Sequence, residues 1–159
     1  YRRIGAQPFK ERVYGLFTEA GTSSVLIALP LVDWRRRPQW PAVALANTDP
    51  VEELASHVGE LRLITLHFPK FSDGRAYSQA RLLRGRLGYE GELRAIGNVL
   101  QDQLPFMLRC GFDSFESEQN GFGEALAKAR KLFSVVYQPA EDGRVPASLL
   151  RRTQDHAVP

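Results

Sequence analysis

The 159 residues predict an α/β fold in which four or five parallel strands alternate with helices, and three observations carry that expectation. From residue 43 onward a strand-like run is followed by a helix-like run four times, the pattern of right-handed crossovers in a parallel sheet. The most strongly apolar strand candidate, Leu63-Ile64-Thr65-Leu66-His67-Phe68, empties into Pro69-Lys70-Phe71-Ser72-Asp73-Gly74-Arg75, a loop of rings, charges and turn residues. Such loops gather at the carboxyl edge of a parallel sheet. Finally, 43% apolar residues in a chain of this length suffice for one core. Four consecutive units admit two architectures, an open doubly wound sheet or a half (βα)8 barrel that stays open or is completed by a partner.

A single domain is expected over residues 25–138, between an ambiguous N-terminal segment, residues 1–24, and a flexible polar tail, residues 139–159. Val25-Leu26-Ile27-Ala28-Leu29 is the first strand candidate and Ala42-Val43-Ala44-Leu45-Ala46 the second. Asp49-Pro50-Val51-Glu52 then opens a helix with a capping acid, proline at the first helical position and glutamate at the third, and Val51, Leu54, Ala55 and Val58 fall on its inner face. After the His67 strand, Ala76, Ala80, Leu83 and Leu87 mark the buried stripe of a helix ended by Gly88, with Arg81 and Arg84 pointing elsewhere. Glu92-Leu93-Arg94-Ala95-Ile96-Gly97 leads into a helix over residues 99–110, capped by Asn98, kinked at Pro105 and followed by Gly111. Phe112-Asp113-Ser114-Phe115-Glu116 is the next strand, and Phe122, Ala125, Leu126, Ala129 and Leu132 line one face of its helix. Ser134-Val135-Val136-Tyr137-Gln138 reads as a closing strand.

Composition removes several function classes. No apolar run approaches the roughly 18 residues of a spanning helix, so membrane insertion is not expected. The single cysteine, Cys110, leaves no disulfide framework and no self-contained cluster or structural zinc site, and points to the cytoplasm. Cys110 itself should be buried and inert, among Phe106 and Met107. The start at Tyr1, with no basic-then-apolar leader, reads as a trimmed or partial chain. Neither a glycine-rich phosphate loop nor a metal motif such as H-E-x-x-H occurs, and His57 and His156 have no ligand spacing with His67. A net charge of +3 is thin support for nucleic-acid binding. The arginines nevertheless cluster, in Arg35-Arg36-Arg37, in Arg81, Arg84 and Arg86, and in Arg151-Arg152, which favours acidic partners, although a charge run is more often merely a solvated face.

Both architectures collect functional groups at the carboxyl ends of the strands, which nominates His67, Lys70, Asp73, Arg75, Asn98, Asp102, Gln103 and Glu116 as neighbours. His67 alternates with Leu63 and Thr65, so it is either a hydrogen-bonded core histidine or a proton-transfer group. Asp73 either caps the following helix or, with Lys70, anchors an anion. Arg75 stands in a first helical turn, where the dipole disfavours a cation, and so implies an anionic partner or an ion pair. Arg94, in mid-strand, requires a carboxylate such as Glu116 or Asp113.

Phe68-Pro69-Lys70-Phe71-Ser72-Asp73-Gly74-Arg75, Tyr77-Ser78-Gln79-Ala80-Arg81-Leu82-Leu83-Arg84, Gly91-Glu92-Leu93-Arg94-Ala95, Asp102-Gln103, Arg109-Cys110-Gly111-Phe112-Asp113 and Phe133-Ser134-Val135-Val136-Tyr137-Gln138-Pro139 together carry a resemblance. The chain resembles the bacterial domain-of-unknown-function family of probable oxidoreductases involved in sulfite reduction, encoded beside the sulfite reductase haemoprotein. The resemblance spans about residues 25–138 and implies a role in sulfur assimilation, with no catalytic residues to carry over. Sulfite reduction needs six electrons, yet this chain has no thiolates for a cluster and no flavin or nicotinamide loop. No cofactor is therefore expected on this chain, and sirohaem and an iron–sulfur cluster would belong to the partner.

Two readings follow. In the first, an accessory protein docks on the sirohaem sulfite reductase, or on an acidic ferredoxin that feeds it, through an Arg81/Arg84 face. In the second, a small α/β enzyme holds an anionic sulfur compound with Lys70, Arg75 and Arg94, while His67 or Asp73 moves a proton and Asn98, Gln103 and Glu116 line the site. Self-association of two half-barrels is a third reading, which an exposed apolar sheet face would mark.

Overall fold

A computed structural model describes residues 15–17, 26–133 and 135–150. Its centre is an open six-stranded sheet in the order β1-β6-β5-β4-β3-β2. The strands are β1 (Gly15–Phe17), β2 (Leu29–Pro30), β3 (Ala42–Leu45), β4 (Leu63–Phe68), β5 (Glu92–Gly97) and β6 (Ser114–Ser117). Strands β2 to β6 are all parallel, and β1 alone runs antiparallel, on the outer edge of β6. The parallel strands follow one another consecutively, without the reversal of order that a doubly wound sheet makes at its switch point. Of the two expected architectures the order is that of the half-barrel, left open.

Consecutive right-handed crossovers put the helices that follow β4, β5 and β6 on one face. That face carries Val43, Leu45, Ile64, Leu66, Phe68, Leu93, Ala95 and Phe115, packed with α2 (Arg75–Arg81), α3 (Leu104–Arg109) and α4 (Phe122–Lys131) in one core. Phe68, Phe112, Phe115 and Phe122 run through it as a chain of rings with centroids 5.8 to 6.4 Å apart. Each buried ring contributes on the order of 2 kcal/mol from area alone. By alternation the opposite face carries Ala44, Thr65, His67, Glu92, Arg94, Ile96, Ser114 and Glu116.

Several local expectations are corrected. Asp49 does not cap a helix: its carboxylate accepts a hydrogen bond from the Ala46 N–H, and only a short 3-10 turn, Val51–Leu54, follows. Ala55 is exposed, because a 3-10 turn has three residues per turn and turns positions 51 and 54 inward, which leaves position 55 facing away. Asn98 caps nothing, since a 3-10 turn at Gln101–Gln103 precedes α3, and Pro105 opens α3 instead of kinking it. A first-turn proline loses no intrahelical bond, so position 105 is a natural start. The expected closing strand reduces to one bridge between Val136 and Pro146, with Ser134 outside the described residues. The first strand shrinks to Leu29–Pro30 and runs into an unforeseen turn of helix, α1 (Leu31–Trp34).

Of the stretch expected to be a loose tail, residues 139–150 are tied down. Arg109 donates to Asp142 and to the Gln138 carbonyl, and Arg144 donates to the carbonyls of Arg130 and Phe133. Arg151, Arg152 and His156 lie outside the described residues, as does most of the N-terminal segment apart from β1.

Candidate functional site

The carboxyl edge is a set of loops latched to one another. Asp73, just before α2, accepts both guanidinium hydrogen bonds of Arg75 (3.0 and 2.7 Å), the Arg75 backbone N–H (3.2 Å) and the Asn47 amide (2.6 Å). Gly74 is the formal cap, but Asp73 does receive the first helical N–H. The Arg75 hydrogen bonds hold the Asp73 carboxyl down at about 2. A carboxylate so held is a fixed charge and a poor proton carrier near neutrality. Arg75 is thereby an ion-pair partner of its own loop. Gln79, buried on α2, donates to the carbonyls of Ala46 and Asp49 (both 2.8 Å), fastening the loop after β3 to the helix after β4. Gln103 does the same between loops, donating to the Phe71 carbonyl at 3.0 Å.

His67 stands apart from this latch. It lies at the end of β4 on the face away from the helices, beside Ile96 in the register of β5. Its ring rests flush on Gly97, where a Cβ would come within 2.8 Å of the ring and 2.5 Å of the Phe68 carbonyl. Gly97 adopts φ +92, so only glycine both fits the backbone and leaves the imidazole its place. The ring faces an open cleft of about 350 Å³ whose described wall is mainly apolar, including Leu31, Val32, Ala44 and Ile96, with Arg35 and Asp49 at its rim. Arg35 is occupied by a two-point pair with Glu53 (2.8 and 2.7 Å). Lys70, Asp73, Arg75, Arg94, Asn98, Gln103 and Glu116 are not among the described residues that line the cleft. The predicted gathering of residues at one edge therefore separates into a latch and a cleft.

The buried arginines are structural. Arg94 is 6% exposed and donates to Glu92 (3.0 and 2.7 Å) and Glu116 (3.3 Å), with Ser114 bridging to Glu92 at 2.6 Å. Glu116 was a foreseen partner. Glu92 was not, although period-two alternation puts positions 92 and 94 on one face. Arg94 and Glu116 thus satisfy each other, as a buried charge demands.

Arg84 corrects the expected basic face. Its side chain is only 12% exposed, and it donates to the carbonyls of Gly111 (3.0 Å), Tyr89 (2.6 Å) and Gly91 (2.9 Å) and to Asp113. Its guanidinium also stands 5.2 Å over the Tyr89 ring. The cause is a π-helical turn at Leu82–Arg86, which adds a residue to the turn and swings position 84 inward.

What remains exposed on this side is Lys70, Arg81 and Arg86, none of them in an ion pair among the described residues, beside two rings, Phe71 (54% exposed) and Phe106 (58%). Gln103 ties the Phe71 loop to the start of α3, and Phe106 packs on Tyr77 of α2 with centroids 4.9 Å apart. Arg81 follows Tyr77 by one helical turn. Cys110 is buried, and burial pushes its thiol up from the ordinary value, which removes it as a nucleophile. Among the described residues no cluster of His, Cys, Asp and Glu is arranged to hold a metal ion, and no helix is long and apolar enough to cross a membrane.

No curated protein and no solved structure matches the chain. Residues 42–148, more than half of the chain, match the family model described as "Bacterial protein of unknown function (DUF934)". This span takes in β3 to β6, the latch, Arg84 and its acceptors, and His67. The chain belongs to this bacterial family of unknown function.

Proposed function

We propose that this protein is an accessory binding module of assimilatory sulfite reduction, which docks on the sirohaem sulfite reductase or on the acidic ferredoxin-type donor that supplies it. The sulfur context rests on the sequence resemblance. The docking mode rests on one observation, the surface in which the exposed rings of Phe71 and Phe106 lie beside Lys70 and Arg81, cations with no ion pair among the described residues. Exposed aromatic anchors with a rim of like charge suit a transient protein contact steered by electrostatics. An enzyme acting on an anionic sulfur compound is less well supported: Asp73 is already committed to Arg75, and Lys70, Arg75 and Arg94 stand outside the described lining of the His67 cleft.

The test is ferredoxin-driven sulfite-to-sulfide turnover by the reductase with and without this protein, at several salt concentrations. The double variant Lys70→Glu/Arg81→Glu is run beside the wild type, with Arg84 left intact. Salt-sensitive stimulation by the wild type that the variant loses supports docking through this face. Absence of any wild-type effect at all ratios overturns the proposal, and separate binding titrations with the haemoprotein and the ferredoxin identify the partner.

A further inference from the structure

We infer that the cleft at the carboxyl ends of β2 to β5 is a binding site for a small uncharged molecule with an apolar body and one hydrogen-bonding head, received by His67. The inference does not depend on the docking surface, which lies on α2 and α3 and shares no described residue with the cleft.

Size and shape come first. At about 350 Å³ the cleft falls within the range of small-molecule sites, and its position at strand ends is where parallel α/β proteins receive ligands. The walls decide the ligand's body. Leu31, Val32, Ala44 and Ile96 offer aliphatic surface, and the described lining holds no aromatic ring besides His67 itself and no cation besides the already paired Arg35.

One polar group decides the head. His67 lines the cleft and has no hydrogen-bond partner among the described residues, although a neutral imidazole carries both a donor and an acceptor. A polar head on the ligand would meet that free donor or acceptor.

The charges at the rim exclude an ion. Arg35 is neutralised by Glu53, and Asp49 presents a carboxylate, so the described rim offers an anion no net attraction. A cation would gain little from Asp49, whose carboxylate stands at a mouth too open to desolvate the pair. A neutral head meets neither difficulty.

The experiment is an amide-resolved NMR titration of the full chain with indole as the neutral probe, and with benzoate and sulfite as anionic probes. Two variants accompany it, His67→Leu and Ala46→Leu. Ala46 is exposed at the cleft mouth, so leucine narrows the space without entering the core. The expected result is saturable indole shifts at Ala44, Ala46, His67 and Ile96, about fivefold weaker binding in His67→Leu from the loss of a neutral hydrogen bond, and loss of binding in Ala46→Leu. Indole shifts confined elsewhere, indole binding unchanged in Ala46→Leu, or tighter binding of either anion would overturn the proposal. Thermal unfolding of both variants at the wild-type midpoint verifies that the cleft, not the fold, has been altered.

Discussion

Replacing Arg84 with alanine should cost stability where replacing Arg81 does not, although the two are neighbours on one helix and equally charged. The magnitude follows from what each guanidinium touches. Arg84 gives three hydrogen bonds to main-chain carbonyls, and each such bond contributes about 1 kcal/mol net. Its pair with Asp113 adds less, roughly 0.5 to 1 kcal/mol, because that carboxylate is 51% exposed. Against this, a groove of about 550 Å³ beside Arg84, Gly111 and Asp113 admits water to the freed carbonyls and returns part of the loss. The net cost is about 3 kcal/mol. Arg81 is exposed and unpaired among the described residues, so its removal should stay within about 0.5 kcal/mol. Urea unfolding followed by circular dichroism measures both: with a slope of about 2 kcal/mol/M, the midpoint of Arg84→Ala falls by about 1.5 M while that of Arg81→Ala barely moves. Equal midpoints for the two variants would refute the structural role of Arg84 and return it to the docking face.

Three further outcomes are expected. The Asp73 carboxyl is depressed, so the stability it provides is fully present above its unfolded value of about 3.9 and is lost as pH falls through about 2; carboxyl NMR should find that low midpoint, and Arg75→Ala should move it up toward the ordinary range. Gly97→Ala, facing φ +92, the Phe68 carbonyl and the His67 ring at once, should cost at least about 2 kcal/mol in denaturant unfolding and displace the His67 ring resonances. Cys110, buried with its thiol pushed up, should resist alkylation by iodoacetamide at pH 8 in the folded protein and react promptly in urea.

The repeating βα order was legible because apolar runs at strand length, separated by helix-length stripes, leave few alternatives, and Ala76, Ala80 and Leu83 are buried as their spacing requires. The direction of the sheet order was not legible. Whether successive crossovers continue or reverse depends on packing between units, which no local periodicity encodes. Helix ends failed for a related reason. Asp49 and Asn98 are good caps in isolation, yet the loops in which they sit are fastened from outside, by Gln79 to the carbonyls of Ala46 and Asp49, and by the Asn98 N–H to the Phe68 carbonyl. Arg84 failed because a periodicity of 100° per residue assumes an unbroken α-helix, and the π-helical turn at Leu82–Arg86 breaks that phase.

At the candidate site the sequence located the groups but not their pairing. Arg75 was flagged by a real anomaly, a cation in a first helical turn, and the anomaly is resolved within two residues by Asp73. Arg94 was flagged by its cost in mid-strand and is resolved by two carboxylates. Once such charges are discounted, Lys70, Arg81 and Arg86 are without an ion pair among the described residues on the α2 side, and His67, on the opposite face of the sheet, has no hydrogen-bond partner among them. These two sets of unspent groups are separated by the sheet itself. Lys70→Glu/Arg81→Glu should therefore leave indole binding in the cleft intact, and Ala46→Leu should leave docking intact. If the double variant abolished both, the cleft and the docking surface would have to be one site, and the sheet could not be the partition between them that its register describes.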